Sequence, residues 1–456
     1  MADAGPAPLT ARYVRRRAVL GAAVVFALLV VWALHHVIVL RGAATSGRPG
    51  LACLYVILFV FLVWQLFYSY LERPLQPTPG QRRRLDELKV AVIVPLYNED
   101  PQIVRDSVES LLRQTRKLHA ISITDDGSPQ FDYAETRRWF LRATAAAGVR
   151  GHWTRQKNAG KRHAQAAAVR LVPDADILAL VDSDTVLDPK ATEEGLKPFA
   201  DPQIQSVAAM VAAANVRQNL FTRVMDLWYV SLQFSDRSVM SRFRSVLVNY
   251  GALAFYRAEI VTDNLGGYLS ERFFGSEMRI SDDSLLTLYA LLRGKTVQQI
   301  TCWAFTYMPT SFRHHRNQQI RWMRGSFIRS WWRFRYLPVA RFAFWGHLAK
   351  WIQYVVASVA TVGVFLTYDL TDPATIVLLF VIQFGIYYGV MLRYLTLRRS
   401  DETTRYQIRT FLMAPIAVLW ATTFLRGCRI WAMMTCWNME WGTRRKVEVV
   451  STGGAR

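Results

Sequence analysis

The sequence predicts an α/β domain with a largely parallel sheet, combined with a multi-span α-helical membrane domain. Between residues 88 and 310, short β-branched runs alternate with segments of helical spacing, a pattern typical of parallel sheets covered by helices. Long apolar runs lie on both sides of this region, and hydrophobic residues make up 52% of the 456 positions. Each run reaches the length of about 20 residues that an α-helix needs to cross a bilayer.

The N-terminal apolar runs predict a membrane hairpin. The run over residues 18–40 is too long for the core of a signal peptide, and a second run follows after a short loop. Arginines cluster before the first run and after the second, whereas the loop between them holds only Arg41 and Arg48. Because positive charge marks the cytoplasmic side, the N-terminus and the domain after the hairpin are expected in the cytoplasm. The hairpin is assigned to residues 1–72 and a Pro-rich linker to residues 73–87.

The C-terminal part predicts further membrane helices within residues 344–436. Runs at 351–370 and 374–395 are typical of two spans. The run 408–435 fits either one kinked span or two short ones, because a proline lies near its start and arginines lie inside it. The basic tail, residues 437–456, favours two crossings and a cytoplasmic C-terminus. The protein is therefore expected to be an integral, multi-pass protein of the cell membrane.

The net charge of +22 admits two explanations. Nucleic-acid binding is one, and arginines at the cytoplasmic ends of membrane helices are the other. Because the arginine clusters flank apolar runs, the second is favoured, so the lipid bilayer is the expected partner and nucleic acid is not. The four cysteines are scattered, without the spacing of a metal site or a disulfide framework.

The first acidic pair, Asp182-Ser183-Asp184, ends an apolar strand-like run over residues 177–181. Open α/β sheets bind ligands just past the ends of their strands, and hard divalent cations prefer carboxylate and phosphate oxygens. One carboxylate can therefore hold Mg²⁺ or Mn²⁺ on a diphosphate, while the other contacts the ribose or the metal shell. The alternative is a solvated turn, which the same residue types form readily.

A second acidic pair, in Asp125-Asp126-Gly127-Ser128, also follows a strand-like run. A carboxylate there can accept the imide proton of uracil, and Tyr97 can flank the base; the alternative is an Asp-Gly turn. Lys161 and Arg162 can supply cations for a pyrophosphate, or they can belong to a solvated face.

The third acidic pair, Asp282-Asp283, is suited to proton transfer. Glycosyl transfer needs a base that takes the proton of the acceptor hydroxyl, and a carboxylate beside another ionises less readily, which raises its pKa. The alternative is an N-cap for a helix that starts near Leu285.

A Gln-x-x-Arg-Trp signature, Gln318 to Trp322, begins a basic and aromatic stretch that leads into a membrane segment. An aromatic ring beside polar groups suits the binding of a sugar face. The alternative for Trp322 is an interfacial anchor, the role expected of Trp331 and Trp332.

Together these motifs form an ordered set over roughly residues 90 to 446. In chain order the set is Pro95-x-Tyr97-Asn98-Glu99-Asp100, Asp125-Asp126-Gly127-Ser128, Gly160-Lys161-Arg162, Asp182-Ser183-Asp184, Tyr250-Gly251-Ala252-Leu253, Asp282-Asp283, Pro309-Thr310-Ser311, Arg316-Asn317-Gln318-Gln319-Ile320-Arg321-Trp322 and Trp441-Gly442-Thr443-Arg444. The set resembles that of the processive family 2 glycosyltransferases, most closely the hyaluronan synthases, and it is similar to that of the chitin and chitooligosaccharide synthases. The two-helix N-terminal hairpin resembles that of the hyaluronan synthases.

The resemblance implies a GT-A, Rossmann-like nucleotide-sugar domain over residues 88–310 that inverts the anomeric carbon. It implies amphipathic interfacial helices over residues 311–343, which carry the signature beneath a transmembrane channel. The implied roles are the following: Asp126 at the uracil with Tyr97 beside it, Lys161 and Arg321 at the diphosphate, Asp182 at the ribose, Asp184 on the metal, Asp283 beside Asp282 as general base, and Gln318 and Trp322 at the acceptor sugar.

The function implied is the polymerisation of UDP-GlcNAc and UDP-GlcA, with extrusion of the growing polysaccharide. One alternative is a chitin or chitooligosaccharide synthase that uses UDP-GlcNAc alone. Another is transfer of a single sugar to a polyprenyl phosphate, against which the Gln318 signature argues. A basic membrane protein without enzymatic activity would show no dependence on a divalent metal.

Two positions depart from the family pattern. Ser281-Asp282-Asp283-Ser284 stands where the family commonly has Gly-Asp-Asp-Arg or Gly-Glu-Asp-Arg, so a fixed cation beside the base is missing. Tyr250-Gly251-Ala252 stands where Ser-Gly-Pro or Ser-Gly-Ala is usual, which puts the shape of the acceptor pocket in question.

Overall fold

The computed structural model describes residues 8–15, 17–42, 49–367 and 387–438. The strands in the described residues are β1 (Ala11–Tyr13), β2 (Val90–Leu96), β3 (Ala120–Asp125), β4 (Arg150–Arg155), β5 (Ile177–Val181), β6 (Thr185–Leu187), β7 (Ile204–Ala213), β8 (Leu253–Arg257), β9 (Arg272–Phe273), β10 (Ser276–Glu277), β11 (Lys295–Thr306) and β12 (Leu397–Arg399).

Eight of these strands form one mixed sheet in the order β4-β3-β2-β5-β8-β7-β11-β6. Strands β4, β3, β2 and β5 are mutually parallel, as are β7 and β11. Strand β8 runs antiparallel to both β5 and β7, and β6 runs antiparallel to β11. The sheet is therefore largely but not wholly parallel, and the carboxyl ends of β2, β3 and β5 meet at one edge.

Burial explains why β2 and β5 are continuous apolar runs in the sequence. Every residue of β2, β3, β5 and β7 is buried, because helices cover both faces of the sheet. Separate apolar clusters lie on the two faces, one containing Val92 and Ile123 and the other Ile93 and Leu178. Alternate residues of each strand thus enter opposite cores.

Helices surround the sheet and extend beyond it. Those of the described residues are Arg17–Gly42, Pro49–Tyr70, Pro79–Glu87, Pro101–Leu112, Ala134–Ala146, Lys161–Arg170, Ala191–Leu196, Leu220–Leu232, Ser238–Arg242, Ala258–Thr262, Leu265–Ser270, Asp282–Arg293, Phe312–Tyr336, Phe342–Thr367, Thr404–Leu412, Ala414–Trp420 and Arg426–Met434. Short 3₁₀ or π turns occupy Lys197–Ala200, Gln233–Arg237, Leu392–Thr396 and Ala421–Leu425. We call Phe312–Tyr336 the signature helix, because it carries Gln318, Arg321 and Trp322.

The apolar runs predicted as a hairpin are helical, at Arg17–Gly42 and Pro49–Tyr70. Within the described residues, no single unbroken helix has both the length and the apolar composition to cross a membrane. The helix Thr404–Leu412 meets the helical segment Ala414–Met434, which includes the π turn Ala421–Leu425, at a bend of 44°. Only when taken together do these two segments have the required length and apolar composition. The bend adjoins Pro415, so the run 408–435 is kinked. Most of the predicted span 374–395 and the Trp441 motif lie outside the described residues.

The end of the span predicted at residue 395 is placed too late. Residues 392–396 form a 3₁₀ turn in which Arg393 is buried rather than exposed at a membrane surface. The guanidinium of Arg393 donates to the carbonyl oxygen of Ser69 at 2.6 Å and lies 3.7 Å from the carboxylate of Glu72. These contacts of Arg393 join the end of the helix Pro49–Tyr70 to the C-terminal part of the chain. The sequence does not reveal them, because the residues before Arg393 are largely apolar.

A pairing between distant parts of the chain was not predicted. Strand β1 lies antiparallel to β12, with Ala11 opposite Arg399 and Tyr13 opposite Leu397. The backbone N–H of Ala11 also donates to Asp188 at 2.9 Å. Three-residue strands carry too short a pattern for sequence reasoning to find.

Candidate active site

The first acidic pair lies where the sequence predicted it, in the turn between β5 and β6. The chain leaves the sheet after Val181, and the N–H of Thr185 donates to the carbonyl oxygen of Asp182 at 3.1 Å to close the turn. Both Asp182 and Asp184 are half-buried at the edge where β2 and β3 also end.

Lys161 brings two acidic pairs together. Its Nζ lies 2.7 Å from Oδ1 of Asp182 and 3.2 Å from Oδ2 of Asp282, and the side chain is only 8% exposed. The helix Lys161–Arg170 begins with this residue, directly after Gly160, whose φ of 98° suits glycine. A buried ammonium between two carboxylates stabilises their ionised forms and is stabilised by them.

Gly251 allows the loop before β8 to lie against this ion pair. A Cβ at this position would come within 3.0 Å of Oδ2 of Asp182 and 3.2 Å of Nζ of Lys161. The departure at Tyr250 leads away from the ion pair, because its ring packs beneath the guanidinium of Arg237 at 4.3 Å. Burial raises the pKa of the Tyr250 hydroxyl.

The third acidic pair forms the first turn of the helix Asp282–Arg293, so the expected start near Leu285 and the N-cap alternative are wrong. Ser281 is the N-cap residue, and its φ of 62° is left-handed. The N–H of Ser284 donates to Oδ1 of Asp283 at 2.7 Å. We call residues 281–284 the acid turn.

The two carboxyl groups of the acid turn differ in their ionisation. Burial followed by the neighbouring carboxylate of Asp282 raises the pKa of Asp283 to about 7. Burial alone would raise the pKa of Asp282 as well, but the adjacent cations of Lys161 and Arg162 hold it below its ordinary value. A carboxylate and a group that can exchange a proton near neutral pH therefore lie side by side.

Asp126 organises the loop that leads to Lys161. Its Oδ1 accepts from the side chain of Gln156 at 2.7 Å and from the N–H of Ala159 at 2.9 Å, and its Oδ2 accepts from the N–H of Gly160 at 2.8 Å. Tyr97 is half-buried at the end of β2. Contacts of Asp126 and Tyr97 with a uracil base remain predictions.

Arg162 does not lie on a solvated face. It is buried, and its Nη1 lies 2.9 Å from Oε2 of Glu271. Arg329 of the signature helix meets the same carboxylate at 2.8 Å and 3.1 Å, one bond to each oxygen. Sequence reasoning missed Glu271 and Arg329, because no local motif marks residues that meet only in the fold.

The signature helix crosses the acid turn at Gly325, where a Cβ would lie 2.6 Å from the Cβ of Ser281. Arg321 and Trp322 lie one helical turn before that crossing. The ring of Trp322 is 46% exposed and meets Tyr229 edge-on, with 5.9 Å between ring centroids. The structure thus brings the signature close to the predicted base.

Two polar features surround the signature. Among the described residues, the buried Oε1 of Gln318 has no hydrogen-bond partner. A cavity of about 730 Å³ lies between residues of the signature helix and of the helix Arg426–Met434, which contact each other elsewhere. Arg321, Arg324 and Trp431 are among the residues that line this cavity.

The fit of a metal depends on Asp184, whose Oδ1 lies 3.2 Å from the hydroxyl of Thr306. Within the described part of the chain, no group of three or more His, Cys, Asp or Glu side chains could hold a metal ion. One or two carboxylates completed by substrate phosphates and water are, however, usual for Mg²⁺. The residues present fit a metal that is shared with a diphosphate.

The family match and the fold identify a sugar-transferring enzyme. The family model described as glycosyltransferase like family 2 matches residues 88–325, so the chain belongs to glycosyltransferase family 2 and is a glycosyltransferase. It is 31% identical over 412 residues to the hyaluronan synthase of Streptococcus pyogenes serotype M3, with 90% of this chain and 93% of that protein covered. It is also 30% identical over 295 residues to an N-acetylglucosaminyltransferase of Mesorhizobium japonicum, with 62% of this chain and 66% of that protein covered.

A solved structure supports the fold assignment. The mannosyltransferase PcManGT from Pyrobaculum calidifontis, solved in complex with GDP-Man and Mn²⁺, matches with a TM-score of 0.53 at 19% identity. The match covers 81% of this chain and 98% of that one. The mixed sheet is thus that of the GT-A fold, as the family resemblance implied.

Proposed function

We propose that this protein is a membrane-integrated, processive, inverting β-glycosyltransferase that polymerises UDP-GlcNAc and UDP-GlcA and extrudes the polysaccharide. The observation that carries the proposal is the position of Lys161, which joins Asp182 to Asp282 beneath the signature helix. Elements suited to a donor nucleotide, a base and an acceptor therefore converge on one site. The similarity to a hyaluronan synthase over 90% of the chain supports the choice of sugars.

The donor is proposed to lie over the carboxyl ends of β2, β3 and β5, as ligands do in open α/β sheets. Asp126 and Tyr97 would contact the uracil, Asp182 the ribose, and Lys161 and Arg321 the diphosphate. The three hydrogen bonds that Asp126 accepts from residues 156–160 support this arrangement, because they fix the loop that ends at Lys161.

Asp184 is proposed to hold Mg²⁺ or Mn²⁺ together with the oxygens of the diphosphate. When bound, the metal would neutralise the negative charge that develops on the leaving UDP. The hydroxyl groups of Thr185 and Thr306 orient the carboxylate at 3.3 Å and 3.2 Å. Such a support suits a single protein ligand that must hold its direction.

Asp283 is proposed as the general base. The acceptor hydroxyl would attack C1 on the face opposite UDP, its proton would pass to Asp283, and the bond from C1 to the diphosphate oxygen would break with inversion. A pKa near 7 supports this role, because the group is largely ionised just above neutral pH yet still basic. Asp282, held ionised by Lys161, keeps that pKa raised.

Trp322 and Gln318 are proposed to bind the terminal sugar of the growing polysaccharide. The half-exposed indole offers an apolar face for stacking, and the unsatisfied carbonyl oxygen of Gln318 offers an acceptor for a sugar hydroxyl. Stacking without many fixed hydrogen bonds suits a chain that must slide after each addition.

The membrane part is proposed to be a hairpin over residues 1–72 and C-terminal helices over residues 344–436 that form a channel. The arginines that flank the apolar runs support a multi-pass protein of the cell membrane with its catalytic domain, residues 88–310, in the cytoplasm. The cavity between the signature helix and the helix Arg426–Met434 supports a path for the polymer beside the acceptor site.

A synthase of chitin or chitooligosaccharide that uses UDP-GlcNAc alone is the second candidate. The similarity to an N-acetylglucosaminyltransferase over 295 residues favours it. The neutral Ser284 in the acid turn is compatible with either polymer.

One experiment separates the two candidates. The purified protein is incubated with UDP-GlcNAc alone, with UDP-GlcA alone and with both, and the products are digested with hyaluronidase or with chitinase. We expect polymer only with both donors, sensitive to hyaluronidase. Polymer from UDP-GlcNAc alone would establish the second candidate, and the absence of polymer with any UDP-sugar would refute processive synthesis. The Asp283→Asn variant serves as the inactive control.

A further inference from the structure

The two serines that depart from the family pattern contact each other. Ser281 Oγ and Ser284 Oγ are hydrogen-bonded, and Ser284 Oγ also donates to the carbonyl oxygen of Ser281 at 3.3 Å. Ser281 adopts a left-handed backbone conformation, with φ of 62°, that is unfavourable for a non-glycine residue. The hydrogen bonds between the serines offset part of this cost, and they leave the acid turn without a charge of its own after Asp283.

A cation reaches the acid turn from the signature helix instead. Nη2 of Arg329 donates to the carbonyl oxygen of Ser281 at 3.3 Å, and the same guanidinium forms a bidentate ion pair with Glu271. Arg162 meets Glu271 at 2.9 Å and donates to the carbonyl oxygen of Ile280 at 2.8 Å. Two consecutive carbonyl groups ahead of Asp282 are therefore held by two arginines that share one carboxylate.

The side chains of Arg162, Glu271 and Arg329 form a cluster that is shielded from water. Arg329 has no exposed side-chain surface, and the side chains of Arg162 and Glu271 are 5% and 9% exposed. The two nitrogens of Arg329 match the two oxygens of Glu271, a geometry that lysine cannot reproduce. The cluster ties three elements together: the helix that starts at Lys161, the segment before the acid turn, and the signature helix.

We infer that Arg329 is a positioning residue for Asp283: fixed by Glu271, it holds the carbonyl oxygen of Ser281 and brings to the acid turn the cation that Ser284 lacks. The signature helix and the acid turn are thereby coupled through the side chain of Arg329. This inference rests on the proposed role of Asp283 and extends it to a residue 46 positions later in the sequence.

Several other groups act on Asp283, and the pH response of Arg329 variants must be read against them. Asp282 and Asp182 raise the pKa of Asp283, whereas Lys161 lowers it. The remaining charged or titratable groups near Asp283 are Arg333 on the signature helix and the hydroxyl groups of Tyr250, Tyr256 and Tyr268. None of these changes in the variants below.

The test measures UDP release by Arg329→Gln in detergent or nanodiscs, with whichever UDP-sugar the unmodified protein turns over. We expect kcat to fall at least tenfold, since misplacement of a reacting group by about 1 Å costs up to about a hundredfold, and KM for the UDP-sugar to change less than about threefold. Loss of the cation also favours the protonated carboxyl, so the acidic limb of the pH–rate profile should move to higher pH. Arg335→Gln, at an exposed arginine of the same helix, is the matched control.

Rescue distinguishes positioning from a purely structural role. The double variant Arg329→Gln/Ser284→Arg restores an arginine to the acid turn, and we expect it to recover most of the lost kcat and to return the acidic limb. In Arg329→Lys the acidic limb of the pH–rate profile should stay in place while kcat still falls, because the positive charge remains but the bidentate ion pair with Glu271 is lost. An Arg329→Gln variant with unchanged kcat overturns the inference, as does a loss of kcat that leaves the limb unmoved and is not rescued.

A second readout requires no turnover and so separates this inference from the proposed function. The pKa of Asp283 lies above that of an unfolded aspartate, so its contribution to stability is full at low pH and is lost as pH rises through about 7. The difference in melting temperature between the unmodified protein and Asp283→Asn, measured against pH, reports this loss. In the Arg329→Gln background the same difference should extend to higher pH, and an unshifted curve overturns the inference even if no UDP-sugar is turned over.

Discussion

The ammonium of Lys161 lies 2.7 Å from the carboxylate of Asp182, and the same ammonium reaches Asp282 at 3.2 Å. Residues from a strand end, a helix start and the acid turn therefore share one charge. A ligand that draws Lys161 toward a diphosphate would weaken its hold on Asp282. In the proposed mode of donor binding, a single side chain would therefore link the diphosphate to the ionisation of the acid turn.

Replacing Lys161 should impair both carboxylates that it contacts, Asp182 and Asp282. In Lys161→Met, two carboxylates lose their cation, and removal of one partner from a buried ion pair costs about 3 to 5 kcal/mol. We expect UDP release to fall more than a hundredfold and the melting temperature to decrease. Lys190→Met, at an exposed lysine, should behave as the unmodified protein, and a Lys161→Met enzyme with normal KM and kcat would contradict the role assigned here.

Removal of the base should abolish turnover without loss of the nucleotide. We expect Asp283→Asn to lower kcat by about 10² to 10⁴, the range typical of a general base, while calorimetry shows UDP binding within about threefold of normal. In the unmodified protein kcat/KM should rise with pH to a plateau with a midpoint near 7, because Asp283 must be ionised to accept a proton. A profile that is flat between pH 5 and 9 would argue for another base.

A methyl group at residue 251 should disturb the ion pair directly. The added Cβ of Gly251→Ala would lie 3.0 Å from Asp182 and 3.2 Å from Lys161, so one of them must shift. We expect KM for the UDP-sugar to rise several-fold, measured as initial rates of UDP release. Gly266→Ala is the matched control, since nothing lies within 4 Å of the Cβ it would add, and equal kinetics of the two variants would refute the close approach.

The signature tryptophan should govern product length more than donor use. We expect Trp322→Ala to yield shorter polymer, measured by gel electrophoresis, with KM for the UDP-sugar nearly unchanged, and Trp322→Phe to retain most of the length. Trp331→Ala removes a more exposed tryptophan, at 61%, from the same helix and should leave length unaffected. If both alanine variants shorten the polymer alike, Trp322 acts only as an interfacial anchor.

The carboxylate proposed for the metal should set the metal requirement. Chelation with EDTA is expected to stop UDP release, and added Mg²⁺ or Mn²⁺ to restore it. In Asp184→Asn the metal concentration for half-maximal rate should rise at least tenfold, since an amide oxygen carries no charge. Full activity of this variant in EDTA would contradict a metal at Asp184.

Local sequence patterns predicted the positions of several residues of the candidate site. Strand-end logic placed Asp126, Asp182 and Asp184 at the sheet edge, because apolar runs that end in polar residues have few alternatives in an α/β domain. The resemblance placed Lys161 and Asp283 near them, and the structure brings Lys161 into contact with two of the acidic pairs. The roles of these residues toward substrate remain predictions.

Contacts between distant segments were beyond such patterns. Glu271 and Arg329 are an ordinary acid and an ordinary base in the sequence, and only packing reveals their shared burial. The helix start at Asp282 was missed because Ser281 takes a left-handed conformation that is rare outside glycine. The end of the predicted span was placed at residue 395 because the residues before it are largely apolar, whereas Arg393 contacts the carbonyl oxygen of Ser69 and the carboxylate of Glu72 inside the protein.

The pairing of β1 with β12 sets a schedule for biosynthesis. Thr10 donates its N–H to Ser400 across 390 positions, so these partners can meet only after the chain up to Ser400 has left the ribosome. At about 5 to 20 residues per second, the N-terminal strand waits roughly 20 to 80 s for its partner. Strand β1 therefore keeps an unpaired edge until β12 has been synthesised, and a chain released before residue 397 would retain that edge.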